Sequence, residues 1–121
     1  MKIERVNVGQ AIVVRVSGQV DMITGSSVEL QDHLSEVIKG KPKWIIVDLD
    51  GVPYMGSTGI AVLINCVRMV KKYSGRFSIT GLKDHVKGVF DLLRVQDFFE
   101  IFDTEESALA AEKKTSDTDS H

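Results

Sequence analysis

At 121 residues the chain is long enough for one ordinary hydrophobic core and too short for two. Its 43% hydrophobic and 26% charged residues are those of a soluble globular protein, and a net charge of -2 without a Lys/Arg cluster along one face argues against nucleic-acid binding. The start Met1-Lys2-Ile3-Glu4-Arg5 carries no apolar signal segment, no apolar run approaches the ~20 residues of a membrane span, and the single cysteine, Cys66, excludes an internal disulfide, so a reducing, cytoplasmic setting is expected.

Lys2 to Asn7 reads as a first strand, turned at Gly9-Gln10, and the β-branched run Ala11 to Val16 as a second, closed by Ser17-Gly18. After Gln19-Val20-Asp21 the polar corner Thr24-Gly25-Ser26-Ser27 can supply a helix cap. Leu30, Leu34, Val37 and Ile38 then recur at helical spacing up to Gly40, and Pro42 prevents continuation. Trp44 to Asp48 is a strand. A corner containing Gly51, Pro53 and Gly56-Ser57-Thr58-Gly59 leads into a helix from about Ser57 to Tyr73, apolar nearly all round in its first half. That half should be sandwiched or partly offered to a partner. Phe77 to Thr80 is the next strand, and Val86, Val89, Phe90 and Leu93 mark a third helix. Phe98 to Phe102 holds a short last strand, and Thr104-Glu105-Glu106 opens a fourth helix. A hairpin followed by alternating helix and strand predicts one α/β domain over 1–112, with about five strands, four helices and a mostly parallel sheet. The polar stretch 113–121 is expected to be a disordered tail.

Ser57 should stand at a strand-to-helix corner, with Gly56 and Gly59 keeping the backbone accessible beside it. Such a helix start suits a phosphate, although a serine here is also a ready N-cap. Other chemistry fits less well. His33, His85 and His121 are scattered away from Cys66 and from any acidic cluster, so no metal site or cofactor is expected. A hydrolase elbow needs glycine where Met55 stands, and a P-loop needs lysine where Ile60 follows Gly59. Asp48 and Asp50 suggest a receiver's phosphoacceptor. The first two strands, however, offer only Glu4 toward the required acidic pair, so both aspartates read as loop and cap residues.

The string Val47-Asp48-Leu49-Asp50-Gly51-Val52-Pro53-Tyr54-Met55-Gly56-Ser57-Thr58-Gly59-Ile60 resembles the signature of the STAS domain of bacterial anti-sigma factor antagonists. Ser17-Gly18-Gln19-Val20-Asp21, Phe77-Ser78-Ile79-Thr80-Gly81-Leu82 and Val89-Phe90-Asp91-Leu92-Leu93 resemble other parts of that family, in order, over about residues 3 to 110. The resemblance implies a STAS fold and a non-enzymatic switch that binds an anti-sigma factor doubling as a serine kinase. Phosphorylation releases the complex, and a PP2C-type phosphatase restores it. Carried onto this chain, the acceptor is Ser57, with Thr58 a less favoured second hydroxyl. Asp21, Thr24 and Gly56 border the partner surface, and Met55 and Ile60 supply apolar contact. The family usually places Asp where Gly56 stands. Two alternatives are a STAS accessory subunit of a membrane transporter and a partner switch with a non-sigma output such as biofilm control.

Overall fold

The computed structural model describes residues 1–111; the expectation for 113–121 lies outside them. Strands β1 (Lys2–Val8) and β2 (Ala11–Ser17) form an antiparallel hairpin in register Val8↔Ala11 to Lys2↔Ser17. Gly9 makes the tight turn with φ of 59°, which a residue bearing a Cβ adopts less readily. Helix α1 (Ser26–Lys39), β3 (Trp44–Gly51), α2 (Ser57–Lys71), β4 (Arg76–Thr80), α3 (Asp84–Leu93) and β5 (Glu100–Phe102) follow, and residues 105–111 are helical. The five strands lie in chain order, β1-β2-β3-β4-β5, and every pairing after the hairpin is parallel. The expected α/β architecture with a mostly parallel sheet is the one observed.

Alternation along the strands assigns each sheet face its own cover. Val14, Val16, Ile45, Val47, Leu49, Phe77 and Ile79 point to the front and are buried beneath α1, α2 and α3 through Leu30, Leu34, Leu63, Val67, Val86 and Phe90. One-way β-α-β crossovers of the same hand place all three helices on that side. On the back, Ala11, Val13, Trp44 and Ile46 are covered by Ala108 and Leu109 of the helix at 105–111. Each large side chain buried in these layers contributes on the order of 1.5–3 kcal/mol.

Several local expectations change. Helix α1 is preceded by Gly25, with no side-chain cap, because Thr24 and Ser26 spend their hydroxyls on Asp21 and on each other. Asp48 and Asp50 lie within β3 on the back of the sheet, not in the loop. The last strand starts at Glu100, since Gln96–Phe98 closes into a single 3-10 turn. The apolar start of α2 is sandwiched: Ile60, Leu63, Cys66 and Val67 are buried, and Val62 and Ile64 pack against the core.

Candidate functional site

The corner is built by carrying the β2-β3 pairing past the ends of both strands. The Gly18 N–H donates to the Gly51 carbonyl (2.9 Å), Val20 N–H to Tyr54 O (3.1 Å) and Gly56 N–H to Val20 O (2.9 Å), with Val20 and Met55 in parallel register. These bonds lay the 18–21 segment beside the 51–56 segment and bring Asp21 next to Gly56. A Cβ on Gly56 would stand 3.7 Å from both the Asp21 Cβ and the Tyr54 hydroxyl, ordinary contact distances. Gly59 is different. A Cβ there would meet Met55 Cγ at 2.7 Å and Val20 Cγ1 at 3.0 Å, so this glycine admits the buried Met55 beneath the helix start rather than exposing the backbone.

Gly56, extended at φ -78°, is the residue before α2, and Ser57 is its first helical residue. The serine is therefore not the cap. No side chain caps α2 and no acid lies in its first turn. The Gly59 and Ile60 amides return to the Gly56 carbonyl, whereas those of Ser57 and Thr58 belong to the first turn that has no helical acceptor. The positive end of the helix dipole thus meets solvent at Ser57, which is exposed. Thr58 is half-buried, and its hydroxyl lies 2.8 Å from that of Ser27, so the first turns of α1 and α2 touch. Of the two hydroxyls, only that of Ser57 faces outward unencumbered.

Asp21 is buried, and its role is architectural. Its Oδ1 accepts the Thr24 backbone N–H (2.9 Å) and hydroxyl (2.7 Å), and its other oxygen accepts from Gln19. The Thr24 amide, then its hydroxyl and Gln19, hold the Asp21 carboxyl below the usual carboxylate range. Its carboxylate therefore folds the 21–26 turn, and Thr24 stands exposed at the tip.

Met55 and Ile60, expected to supply apolar contact to a partner, are instead 0% and 1% exposed, in the core. Met55 points inward because it pairs with Val20, and Ile60 because it begins the buried stripe of α2. The apolar surface of the corner comes from residues not singled out in the sequence: Met22 (69% exposed), Ile23 (94%), Val28 (62%) and Tyr54. The signal was available. Met22 and Ile23 sit in a turn between Asp21 and Thr24-Gly25, where neither strand nor helix periodicity demands an apolar side chain. Tyr54 also stacks against His85, ring centroids 5.0 Å apart, which brings the α3 start to the rim. Among the described residues, no three His, Cys, Asp or Glu side chains gather to hold a metal, and no helix is long and apolar enough to cross a membrane. Cys66 is buried, and burial alone pushes its thiol up to about 12, which keeps it unreactive.

Comparison with known proteins places this geometry. The sequence model of the STAS domain matches residues 2–108. YvdB of Bacillus subtilis, assigned as a sulfate transporter, is 33% identical over 85 residues, 65% of this chain and 16% of that protein. The chain thus spans about a sixth of the transporter's length. The anti-sigma-F factor antagonist RsfB of Mycobacterium tuberculosis is 25% identical over 97 residues, 80% of this chain and 77% of RsfB. An anti-sigma factor antagonist from Mycobacterium paratuberculosis superposes with a TM-score of 0.82 at 24% identity, covering 91% of this chain and 92% of that one. SpoIIAA, solved in unphosphorylated and phosphorylated forms, superposes with TM-scores of 0.77 and 0.69 at 19% and 20% identity, covering 93% and 91% of this chain and 97% and 98% of SpoIIAA. Hairpin, parallel sheet, glycine-flanked helix start and sequence model agree, and the chain belongs to the STAS domain family.

Proposed function

We propose that the protein is a non-enzymatic partner switch of the anti-sigma factor antagonist kind, docking an anti-sigma factor/serine kinase through the corner around Ser57. The observation that carries this reading is the exposed Ser57 on the first turn of an uncapped helix, with Met22, Ile23 and Val28 exposed on the 21–28 segment that meets this turn through the Ser27–Thr58 bond. Relatives such as RsfB carry the antagonist role in their names, and SpoIIAA exists in both phosphorylated and unphosphorylated forms. A phosphate on Ser57 adds about -1.5 to -2 charges, which the free amides and dipole of α2 accommodate in the unbound protein. In the docked state the same charge must be desolvated against the partner. A loss of about 3 kcal/mol there weakens binding on the order of a hundredfold. Asp21, Thr24, Gly56 and Thr58 shape the surface, and the kinase supplies ATP, Mg²⁺ and the catalytic base. A PP2C-type phosphatase completes the cycle.

Gly56 fits this scheme. The space beside it is open enough for the aspartate common in the family, but that acid would face Asp21 and set a negative charge at the mouth of the phosphate site. Glycine leaves the helix start more receptive to phosphate. Retention of wild type and Ser57→Ala on the immobilised cognate kinase, with release of Ser57→Asp at unchanged circular dichroism, is the expected binding result. Equal retention of all three overturns the reading. A second reading, docking to a membrane transporter, is favoured by the identity with YvdB. Transporter subunits encoded beside the gene, in place of a serine kinase and phosphatase, would decide for it.

A further inference from the structure

We propose that the end of the domain opposite Ser57 is a basic docking surface for the anionic face of a phospholipid membrane. No single run of the sequence contains this surface; the fold assembles it. Helices α1, α2 and α3 run back against the parallel strands, so they end where β3, β4 and β5 begin. Two bonds then seat the 40–43 loop against the 72–76 segment. The Tyr73 hydroxyl donates to the Pro42 carbonyl (2.8 Å), and the Arg76 N–H donates to the Lys43 carbonyl (2.8 Å). Lys41 and Lys43 thereby join Lys71 and Lys72 at the end of α2, with Arg68 one turn earlier and Arg94 closing α3. Lys41 and Arg94 hold left-handed backbone, φ 50° and 56°, where glycine costs less.

Most of this charge is uncompensated. Glu36 is held by Lys39 at 3.3 Å and Glu100 by the Arg76 fork (2.6 and 2.9 Å), and none of the six cations above forms an ion pair among the described residues. Asp91 and Asp97 offset two of them. The chain carries -2 overall, but the acids near the Ser57 corner lie far off. The 8 residues of β3, at about 3.3 Å each, separate the two ends by about 25 Å, and salt screens charges within about 8 Å. An apolar edge decides the partner. Lys71 Nζ stands 5.4 Å from the centre of the Phe98 ring, and Phe98, Leu93 and Leu92 are exposed, Leu92 to 80%. A nucleic-acid backbone would leave these side chains in water. An anionic bilayer satisfies both parts: headgroup phosphates meet the cations, and Leu92, Leu93 and Phe98 enter the acyl boundary beneath them. Docked in this way the domain holds Ser57 away from the lipid, so the surface is independent of the proposed switch.

Flotation of the full chain with vesicles tests the surface. Vesicles of phosphatidylcholine with about 30% phosphatidylglycerol should carry the protein at least about tenfold better than phosphatidylcholine alone, and raising salt from about 0.05 M to about 0.5 M should abolish the difference. Lys43→Ala/Lys72→Ala, which alters two exposed side chains, should cut binding about thirtyfold, from about fivefold per lysine. Leu92→Ser should cut it about threefold to tenfold. Both variants should keep the wild-type circular dichroism, and Ser57→Ala should bind vesicles as wild type does. No binding to the anionic vesicles at low salt overturns the proposal and turns the patch toward an acidic protein. Full binding by the double-lysine variant overturns it as well. So does equally tight binding of a single-stranded DNA oligonucleotide with no effect of Leu92→Ser on the vesicles, which would make the patch a general polyanion site.

Discussion

Replacing Thr58 by valine keeps the shape of its side chain and deletes the hydroxyl that meets Ser27 at 2.8 Å. Ser27 is 4% exposed, so its oxygen is left with little access to water. An unsatisfied buried hydroxyl costs about 1–3 kcal/mol, and the half-buried setting of Thr58 places this case in the lower part, about 1–2 kcal/mol. For a domain of this size that lowers Tm by roughly 4–8 °C. Ser27→Ala should cost a similar amount, and Ser27→Ala/Thr58→Val little more than either alone, since both partners of one bond are then gone. The coupling from a urea-denaturation cycle should be about 1 kcal/mol. Additive losses would mean that the two hydroxyls do not clamp the helix starts together. Thr58→Val should still be phosphorylated to full extent, because the proposed acceptor is its neighbour.

Ile23→Ala removes a side chain that the free domain leaves 94% exposed, so Tm should stay within a degree or two, while kinase affinity measured by calorimetry falls about tenfold to thirtyfold. An unchanged Kd would move the docking surface away from the 21–28 turn. Gly59→Ala should destabilise the domain by about 1–3 kcal/mol in denaturant, because its methyl meets Met55 at 2.7 Å and Val20 at 3.0 Å in a filled core; a neutral result would show that Met55 moves freely.

The fold was legible in the chain because local and long-range preferences agree. β-Branched runs give β2 and β3, glycines punctuate the turns, and Leu30-Leu34-Val37-Ile38 give the buried stripe of α1. The misreadings lie where tertiary placement decides. Met55 and Ile60 look available in a glycine-rich corner, but the Val20-Met55 bridge turns one inward and the sheet covers the other. Asp48 reads as a loop residue until β3 is seen to extend to Gly51, and the hollow it lines together with Glu105 joins residues far apart in sequence. Met22 and Ile23 carry little signal of exposure in the sequence because a turn rich in Thr, Gly and Ser reads as polar. The glycine-flanked corner places Ser57 at the start of α2, where the structure also has it, but only the structure separates it from Thr58, through the bond to Ser27.

The central claim, a phosphate switch at Ser57, is tested most directly by intact-mass analysis after incubation with the cognate serine kinase and ATP. Wild type should gain one phosphate and lose its hold on the kinase, and Ser57→Ala should gain none and stay bound. A wild-type mass that does not change with an active kinase, or a phosphate that persists on Ser57→Ala, would contradict the account.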